Sequence, residues 1–372
     1  MALDAEAWLT LRCLCGRSVP TSRPVADAAV VCRCGERLAA WRQGLLEIGA
    51  PVGYWGEMPA ARLQSLLQEA RQSHWRQAVD RWLPAPLRDY AAHPDRAAFA
   101  DVLPLPAQGR ILEIGAGLGG IAACLAQQYA VVALEGVAER AAFLALRAQQ
   151  DGLTRLLPVR ADWHRLCFAP GQFDAVVLNG VLEWVPVADI SAPPRQVQVA
   201  FLRAVRELLA PGGFIYLAIE NRFGLPQWRG AVDHSGLRYT SLMPRAVARA
   251  VCRRHSDPYR SPGNRGYRTY TYSPLGYERL FRQSGLRRRQ AYLCPRGYNL
   301  PVDIIPLQRE VLAFRARHQH WQTHRPIRAW LHRRLGAVWF WGAVGGDLAF
   351  VLDAGETPAA PPTAPARASR GE

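Results

Sequence analysis

The run Ile111-Leu112-Glu113-Ile114-Gly115-Ala116-Gly117-Leu118-Gly119-Gly120 constrains this chain more than any other stretch. An apolar strand ends in a turn holding four glycines, and a helix begins directly after it. Glycine takes positive φ at little cost and, having no Cβ, lets a ligand lie against the main chain. The first turn of the following helix then aims free N–H groups at that ligand. Gly115, Gly117 and Gly120 also satisfy the dinucleotide pattern G-x-G-x-x-G, with Glu135 twenty residues beyond the first glycine, so the glycines alone leave the cofactor open.

Three further features separate the readings. Glu113 lies two residues before Gly115, where a carboxylate would repel a pyrophosphate but attract a cofactor carrying an ammonium and a sulfonium. Asp162 follows the apolar run Leu156 to Val159, at the end of a third strand. Phe173 to Asn179 reads as a fourth strand, and Leu208-Leu209-Ala210-Pro211-Gly212-Gly213 followed by Phe214 to Leu217 reads as helix end, turn and fifth strand.

With these motifs in order, the chain from about Gly109 to Leu217 resembles the class I S-adenosylmethionine-dependent methyltransferases. The resemblance implies a glycine loop of Gly115, Gly117 and Gly119 around the cofactor, with Glu113 by its methionine end. It implies that Glu135 holds the ribose hydroxyls, that Asp162 accepts from the adenine amine, and that Asn179 sits below the methyl group. The fold it implies is α/β, a Rossmann-like seven-stranded sheet with helices on both faces. The alternation of strands at 110–115, 130–135, 156–160, 173–178 and 213–219 with helices at 119–128, 138–150 and 197–209 agrees with a parallel sheet covered on both sides. Ligands of such sheets bind beyond the carboxyl ends of the strands.

Four of the eight cysteines fall in the first 34 residues, as Cys13-Leu14-Cys15-Gly16 and Cys32-Arg33-Cys34-Gly35. A repeated cysteine pair followed by glycine is the pattern of a small ribbon holding tetrahedral zinc, although the spacing within each pair is one residue shorter than the usual C-x-x-C. Knuckles without metal and disulfides are the alternatives. We divide the chain into a zinc-ribbon-like module (1–50), a helical lid (51–105) with apolar residues at helical spacing from Ala60 to Trp82, and the cofactor core (106–220). An acceptor-side insertion (221–273) follows, then a completion of the core (274–354) and a disordered tail (355–372). In the completion, strands at Gln290–Cys294 and Leu348–Asp353 flank a helical stretch from Pro306 to Trp341. The tail is rich in proline and alanine.

The net charge of +16 comes entirely from arginine, since the chain has no lysine. Up to Glu220 arginines and acids balance at 21 each, whereas from Asn221 there are 25 arginines and 9 acids, so the excess lies in the C-terminal part. Such a field suits an anionic acceptor, RNA or a membrane surface. No apolar run reaches the length of a spanning helix, Leu335 to Leu352 being interrupted by Asp347 and glycines, and the acidic start Met1 to Glu6 is unlike a signal peptide. A cytoplasmic location is expected.

On the acceptor side, Asn179 is followed by Gly180 to Pro186, so the N-P-P-[YF] tetrapeptide of enzymes that methylate base amines is absent. The insertion holds Asp233-His234-Ser235-Gly236, and His234 is the candidate base, with Asp233 raising its basicity. Glu183 and Glu220 are candidate contacts to the acceptor. The insertion and Pro295-Arg296-Gly297-Tyr298-Asn299-Leu300-Pro301 resemble bacterial methyltransferases that accompany polysaccharide synthesis. The leading expectation is methyl transfer to a hydroxyl or amine of a sugar or sugar-linked acceptor. An RNA methyltransferase with the zinc module as docking site is the alternative, and a cofactor-binding scaffold without chemistry is a third.

Overall fold

The computed structural model describes residues 9–21, 27–49, 58–163, 166–256, 266–318 and 345–355. Thirteen strands are seen among them. Six precede or open the core: β1 (Leu9–Arg12), β2 (Ser18–Thr21), β3 (Ala28–Val31), β4 (Arg37–Arg42), β5 (Leu45–Ile48) and β6 (Arg110–Ile114). The rest are β7 (Ala130–Glu135), β8 (Leu156–Ala161), β9 (Phe173–Asn179), β10 (Leu209–Ile219), β11 (Leu286–Cys294), β12 (Ile305–Pro306) and β13 (Asp347–Ala354).

The expected seven strands are β6 to β11 and β13, and they form the middle of one larger sheet of eleven, ordered β12-β11-β13-β10-β9-β6-β7-β8-β5-β4-β3. Strands β10, β9, β6, β7 and β8 run parallel, and β13 inserts antiparallel between β10 and β11. Each central strand is buried along nearly its whole length, as near-continuous apolar runs in a doubly covered sheet must be. Successive residues face opposite layers: Leu112 and Ile114 pack on one side, Ile111 on the other with Ile121 and Leu125 of the helix Gly120–Leu125.

Strands β3 to β5, within the module expected over 1–50, join the main sheet. β5 pairs in parallel with β8, Leu46 opposite Val159 and Ile48 opposite Ala161, and β4 and β3 continue the sheet outward. Leu9, Leu11, Trp41, Leu46 and Ile48 are buried in the same cluster as Val159 and Leu178. A segment this short has little core of its own. It buries its apolar face on the neighbouring sheet.

The lid also differs in detail. The apolar period from Ala60 to Trp82 is cut into helices Ala60–Gln72 and Trp75–Trp82, because His74 takes an extended conformation and its side chain caps the second helix. A third helix, Ala85–Ala92, and a 3-10 segment, Pro94–Val102, complete the lid. Arg147 joins lid to core: its guanidinium donates to the carbonyls of Ala91 at 2.6 Å and Leu118 at 3.0 Å and lies 4.0 Å from the Trp75 ring centroid. The later helices include Pro194–Glu207, Arg245–His255, Pro274–Gln283 and Arg309–His318. The helices expected between 319 and Trp341, the start of the apolar run at Leu335 and the tail from 356 lie outside the described residues. Among the described residues, no helix is long and apolar enough to cross a membrane.

Candidate active site

The glycine loop is placed by backbone bonds. Gly115 and Ala116 donate to the Leu134 carbonyl at 2.8 and 3.0 Å, which ties the loop to the end of β7. Gly117 has φ +57°, and a Cβ there would meet nothing within 4 Å, so its bare backbone faces open space. Gly120 meets the opposite constraint: a Cβ would lie 2.2 Å from the Tyr90 carbonyl oxygen, so glycine is what lets the lid close on the first turn of Gly120–Leu125.

A cavity of about 200 Å³ opens over this loop, with walls that include Gly115, Gly117, Glu135, Asn179, Trp184 and His234. Met58, Leu83, Leu87, Tyr90 and Arg96 close it from the lid side, and Tyr298 and Asn299 from the C-terminal part. Glu135 is 5% exposed and already folded around the loop, its Oε2 accepting from Gly117 N–H at 2.8 Å and its Oε1 from Val137 N–H at 2.9 Å. At the far end Asn179 donates from Nδ2 to Asn299 Oδ1 at 3.3 Å, while its own Oδ1 is buried without a hydrogen-bond partner among the described residues.

Of the residues expected to bind cofactor, Gly115, Gly117, Glu135 and Asn179 therefore meet in one cavity. Three do not line it. Gly119 is turned behind the loop as the N-cap of Gly120–Leu125, where a Cβ would lie 2.4 Å from Leu144 Cδ1. Asp162 follows β8, and its neighbour Trp163 reaches the wall instead. Glu113 points to the Ile111 side of the sheet, because alternation along β6 allows nothing else, and is buried beneath the helix Gly120–Leu125. Burial pushes its carboxyl up to about 8, against the opposing charge of Arg96 and the Ala122 N–H. Arg96 is not singled out in the sequence, since no local pattern marks an arginine in a lid, and Asn299 enters there only within the run Pro295 to Pro301.

The cluster around His234 is built from three elements. Glu183 lies in the loop after β9, Glu220 directly after β10, and His234 in the insertion. His234 Nε2 lies 2.8 Å from Glu220 Oε1 and 3.4 Å from Glu183 Oε1, and its ring meets Trp184 edge-on at 4.9 Å. Tyr298 Oη donates to Glu220 Oε1 at 2.9 Å. Burial opposes charge on the imidazole, yet the Glu220 carboxylate, with Glu183 beside it, outweighs burial and holds the His234 pKa well above its ordinary value. Glu183 is fully buried and is pushed up to about 7, by burial first and then by Glu220. Asp347, at the start of β13, is pushed up to about 8 by burial and by the same Glu220 charge.

Asp233, expected to tune His234, is engaged elsewhere. Its carboxylate accepts from Ser235 N–H at 2.8 Å, Ser235 Oγ at 2.6 Å, Ser241 Oγ at 2.6 Å and from Thr240 Oγ1. It braces the turn that carries His234, and Glu220 is the acid that faces the imidazole.

The four N-terminal cysteines form a second cluster. Cys13 and Cys34 Sγ are 3.5 Å apart, Cys15 and Cys32 Sγ 3.6 Å, and all four sulfurs lie within 4.8 Å of one another. The two turns repeat the same bonds: Cys13 N–H to the Arg17 carbonyl and Gly16 N–H to Cys13, Cys32 N–H to Glu36 and Gly35 N–H to Cys32. Sulfurs about 3.8 Å apart surround a tetrahedral zinc with bonds of about 2.3 Å. The donor set therefore fits that ion, and the separations exceed the roughly 2.05 Å of a disulfide.

Residues 112–217 match the family model described as "Methyltransferase domain". This stretch is a methyltransferase domain. The match runs from β6 through β10, the strands that carry the glycine loop, Glu135 and Asn179. No curated protein sequence matches the chain. Among solved structures, the chain is similar to Haemonchus contortus phosphoethanolamine N-methyltransferase 2 in complex with phosphomonomethylethanolamine and S-adenosylhomocysteine (13% identity, TM-score 0.42). That likeness covers 79% of this chain and 60% of that one, so this chain spans less than two thirds of that relative. It is also similar to a complex between the Haloferax volcanii Trm112 methyltransferase activator and a methyltransferase (17%, 79% and 99% covered, TM-score 0.42). A third likeness is to the CcbJ methyltransferase of Streptomyces caelestis (17%, 75% and 96% covered, TM-score 0.42).

The wall of the methyltransferase cavity fits S-adenosylmethionine on its own terms. The open backbone at Gly117, the carboxylate of Glu135 and Asn179 Oδ1, without a partner among the described residues, would hold such a cofactor along its length. Bound there, the cofactor supplies a methyl group on a sulfonium. The protein's share is to orient it and to exclude water under the lid.

Proposed function

We propose that this protein transfers a methyl group from S-adenosylmethionine to a hydroxyl or amine on a sugar or sugar-linked acceptor. The observation that carries the reading is the position of His234. It lines the same cavity as Gly117 and Asn179 and is bracketed by Glu220 and Glu183. Gly115, Gly117 and Glu135 hold the cofactor and Asn179 lies at its methyl end, while Gly119 and the buried Glu113 brace the loop and its helix from behind and Asp162 stands beside the wall residue Trp163. His234 is the catalytic residue that meets the acceptor, and its cluster is where the acceptor's hydroxyl or amine sheds a proton. A cavity of this size, roofed by lid and insertion, suits a small acceptor group better than a base within folded RNA. In the same reading, Cys13, Cys15, Cys32 and Cys34 hold one structural zinc, which braces the strands added beside β8.

The test follows labelled methyl from S-adenosylmethionine into extract of a strain lacking this gene, with and without RNase. Label that survives RNase and runs with glycan or glycolipid is the expected result. Label that vanishes with RNase would make RNA the acceptor and the cysteine cluster its docking site.

A further inference from the structure

Glu183 has no exposed surface, and neither of its carboxylate oxygens has a hydrogen-bond partner among the described residues. Such a group is costly to leave alone. Glu220 Oε2 is buried and unpartnered as well. His234 Nε2, although 2.8 Å from Glu220 Oε1 and 3.4 Å from Glu183 Oε1, is not aligned for a hydrogen bond to either. Three ligand atoms of different residues thus converge within 4.8 Å, and their own mutual bonds do not satisfy them.

We propose that Glu183, Glu220 and His234 form a three-ligand site for a first-row divalent cation, open on the cavity side to oxygens of the acceptor. The chemistry of the set supports this. One imidazole nitrogen and two carboxylate oxygens suit Mn²⁺, Fe²⁺ or Zn²⁺, and three protein ligands leave positions free for exchangeable oxygens. Both carboxylates would be neutralised by one ion, which an imidazolium alone cannot do. Tyr298 Oη, donating to Glu220 Oε1 at 2.9 Å, orients a ligand carboxylate in the manner of an outer-shell partner. Trp184 fixes the imidazole plane from its edge. His234 lines the cavity and Asn179 shares its wall, so the ion's free positions lie toward the methyl end of the cofactor site. This use of the site rests on the acceptor-side reading above: a bound acceptor hydroxyl would be held and acidified at the ion, with His234 as ligand. Its proton would pass to water in the cavity mouth as the O–C bond to the methyl forms and the S–C bond of the sulfonium breaks.

The test uses full-length protein, stripped with chelator, and Mn²⁺ alone as probe, since thiolates compete poorly for this ion. Magnetic-resonance titration is expected to find one saturable Mn²⁺ per chain, weakened about tenfold or more in Glu183→Gln and in His234→Gln with S-adenosylmethionine affinity retained. Because a variant at so buried a position can misfold, wild-type protein is also read by pulsed magnetic resonance, where coupling to a single histidine nitrogen is expected. No saturable site in the wild type, Mn²⁺ without nitrogen coupling, or unchanged affinity in a folded Glu183→Gln would overturn the proposal. Activity is scored apart from binding. Undiminished methyl transfer after chelation, with no Mn²⁺ site, removes the ion and keeps the transferase. A histidine-coupled ion with no sugar-linked product keeps the site and removes the acceptor reading.

Discussion

Arg96 donates from one guanidinium nitrogen to both the backbone carbonyl and the side-chain Oδ1 of Asn299, 203 residues further along the chain. Asn299 Oδ1 also accepts from Asn179. The lid, the end of β9 and the C-terminal loop are thus joined at one end of the cavity, and residues from three parts of the chain share one oxygen.

Arg96→Ala should therefore loosen the cavity as well as remove a cation beside the cofactor. Hydrogen bonds to a charged group contribute about 1.5–3 kcal/mol, which corresponds to roughly 10- to 100-fold in affinity. Calorimetry should show S-adenosylmethionine binding weakened within that range, and the unfolding midpoint should fall by several degrees, because the two bonds lost join lid to C-terminal loop within the protein itself. Unchanged affinity would place the guanidinium outside the cofactor's reach.

Glu135→Ala should abolish cofactor binding. The carboxylate braces the Gly117 and Val137 N–H groups and in the proposed reading also holds the ribose, so its loss would free the loop and remove that contact. Glu135→Gln keeps one acceptor oxygen and should bind about tenfold or more weakly, the charge-assisted part being lost. Equal binding by wild type and Glu135→Ala would show that the ribose is held elsewhere.

Glu113 should make stability depend on pH. Its folded pKa is raised, from the ordinary carboxyl value of 4.5 to about 8, so the folded state binds the proton more tightly than the unfolded chain. The stabilisation is complete below about pH 4.5 and is lost as pH rises to about 8. At about 1.36 kcal/mol per pH unit the total is on the order of 3–5 kcal/mol. Glu113→Gln should flatten this part of the pH profile in chemical unfolding. A variant whose slope matches wild type from pH 5 to 8 would contradict a neutral, buried Glu113.

Cys32→Ser should release one equivalent of zinc by metal analysis and lower the unfolding midpoint by several degrees. Cys32 is buried beside strands that share the main core through Leu46 and Ile48, so the loss should reach the sheet edge at β8. Absence of zinc from wild type purified without chelator would remove the ion from the cluster.

Much of this architecture is local, and local patterns carry it. The turn Gly115 to Gly120 needs glycine because backbone must approach ligand at Gly117 and the Tyr90 carbonyl at Gly120, and both demands act within a few residues. Strands β6 to β9 are mostly apolar and buried along nearly their whole length because each is covered on two faces, so a run of residues suffices to place them. Glu135 and Asn179 follow, since an acid or amide at the end of a parallel strand falls on the ligand side of the sheet.

Tertiary structure alone decided which strand β5 would pair with, which acid would face His234, and that Arg96 would meet Asn299. Edge pairing is a contest between distant backbones, and β5 carries no mark of β8 in its own sequence. Adjacency favoured Asp233 as the partner of His234, but nearby hydroxyls satisfied Asp233 first, and the fold brought Glu220 and Glu183 to the imidazole. Periodicity tells which face a residue takes on its own element. Which residues then meet across elements depends on how those faces close over one another, and that is set by packing of the whole sheet.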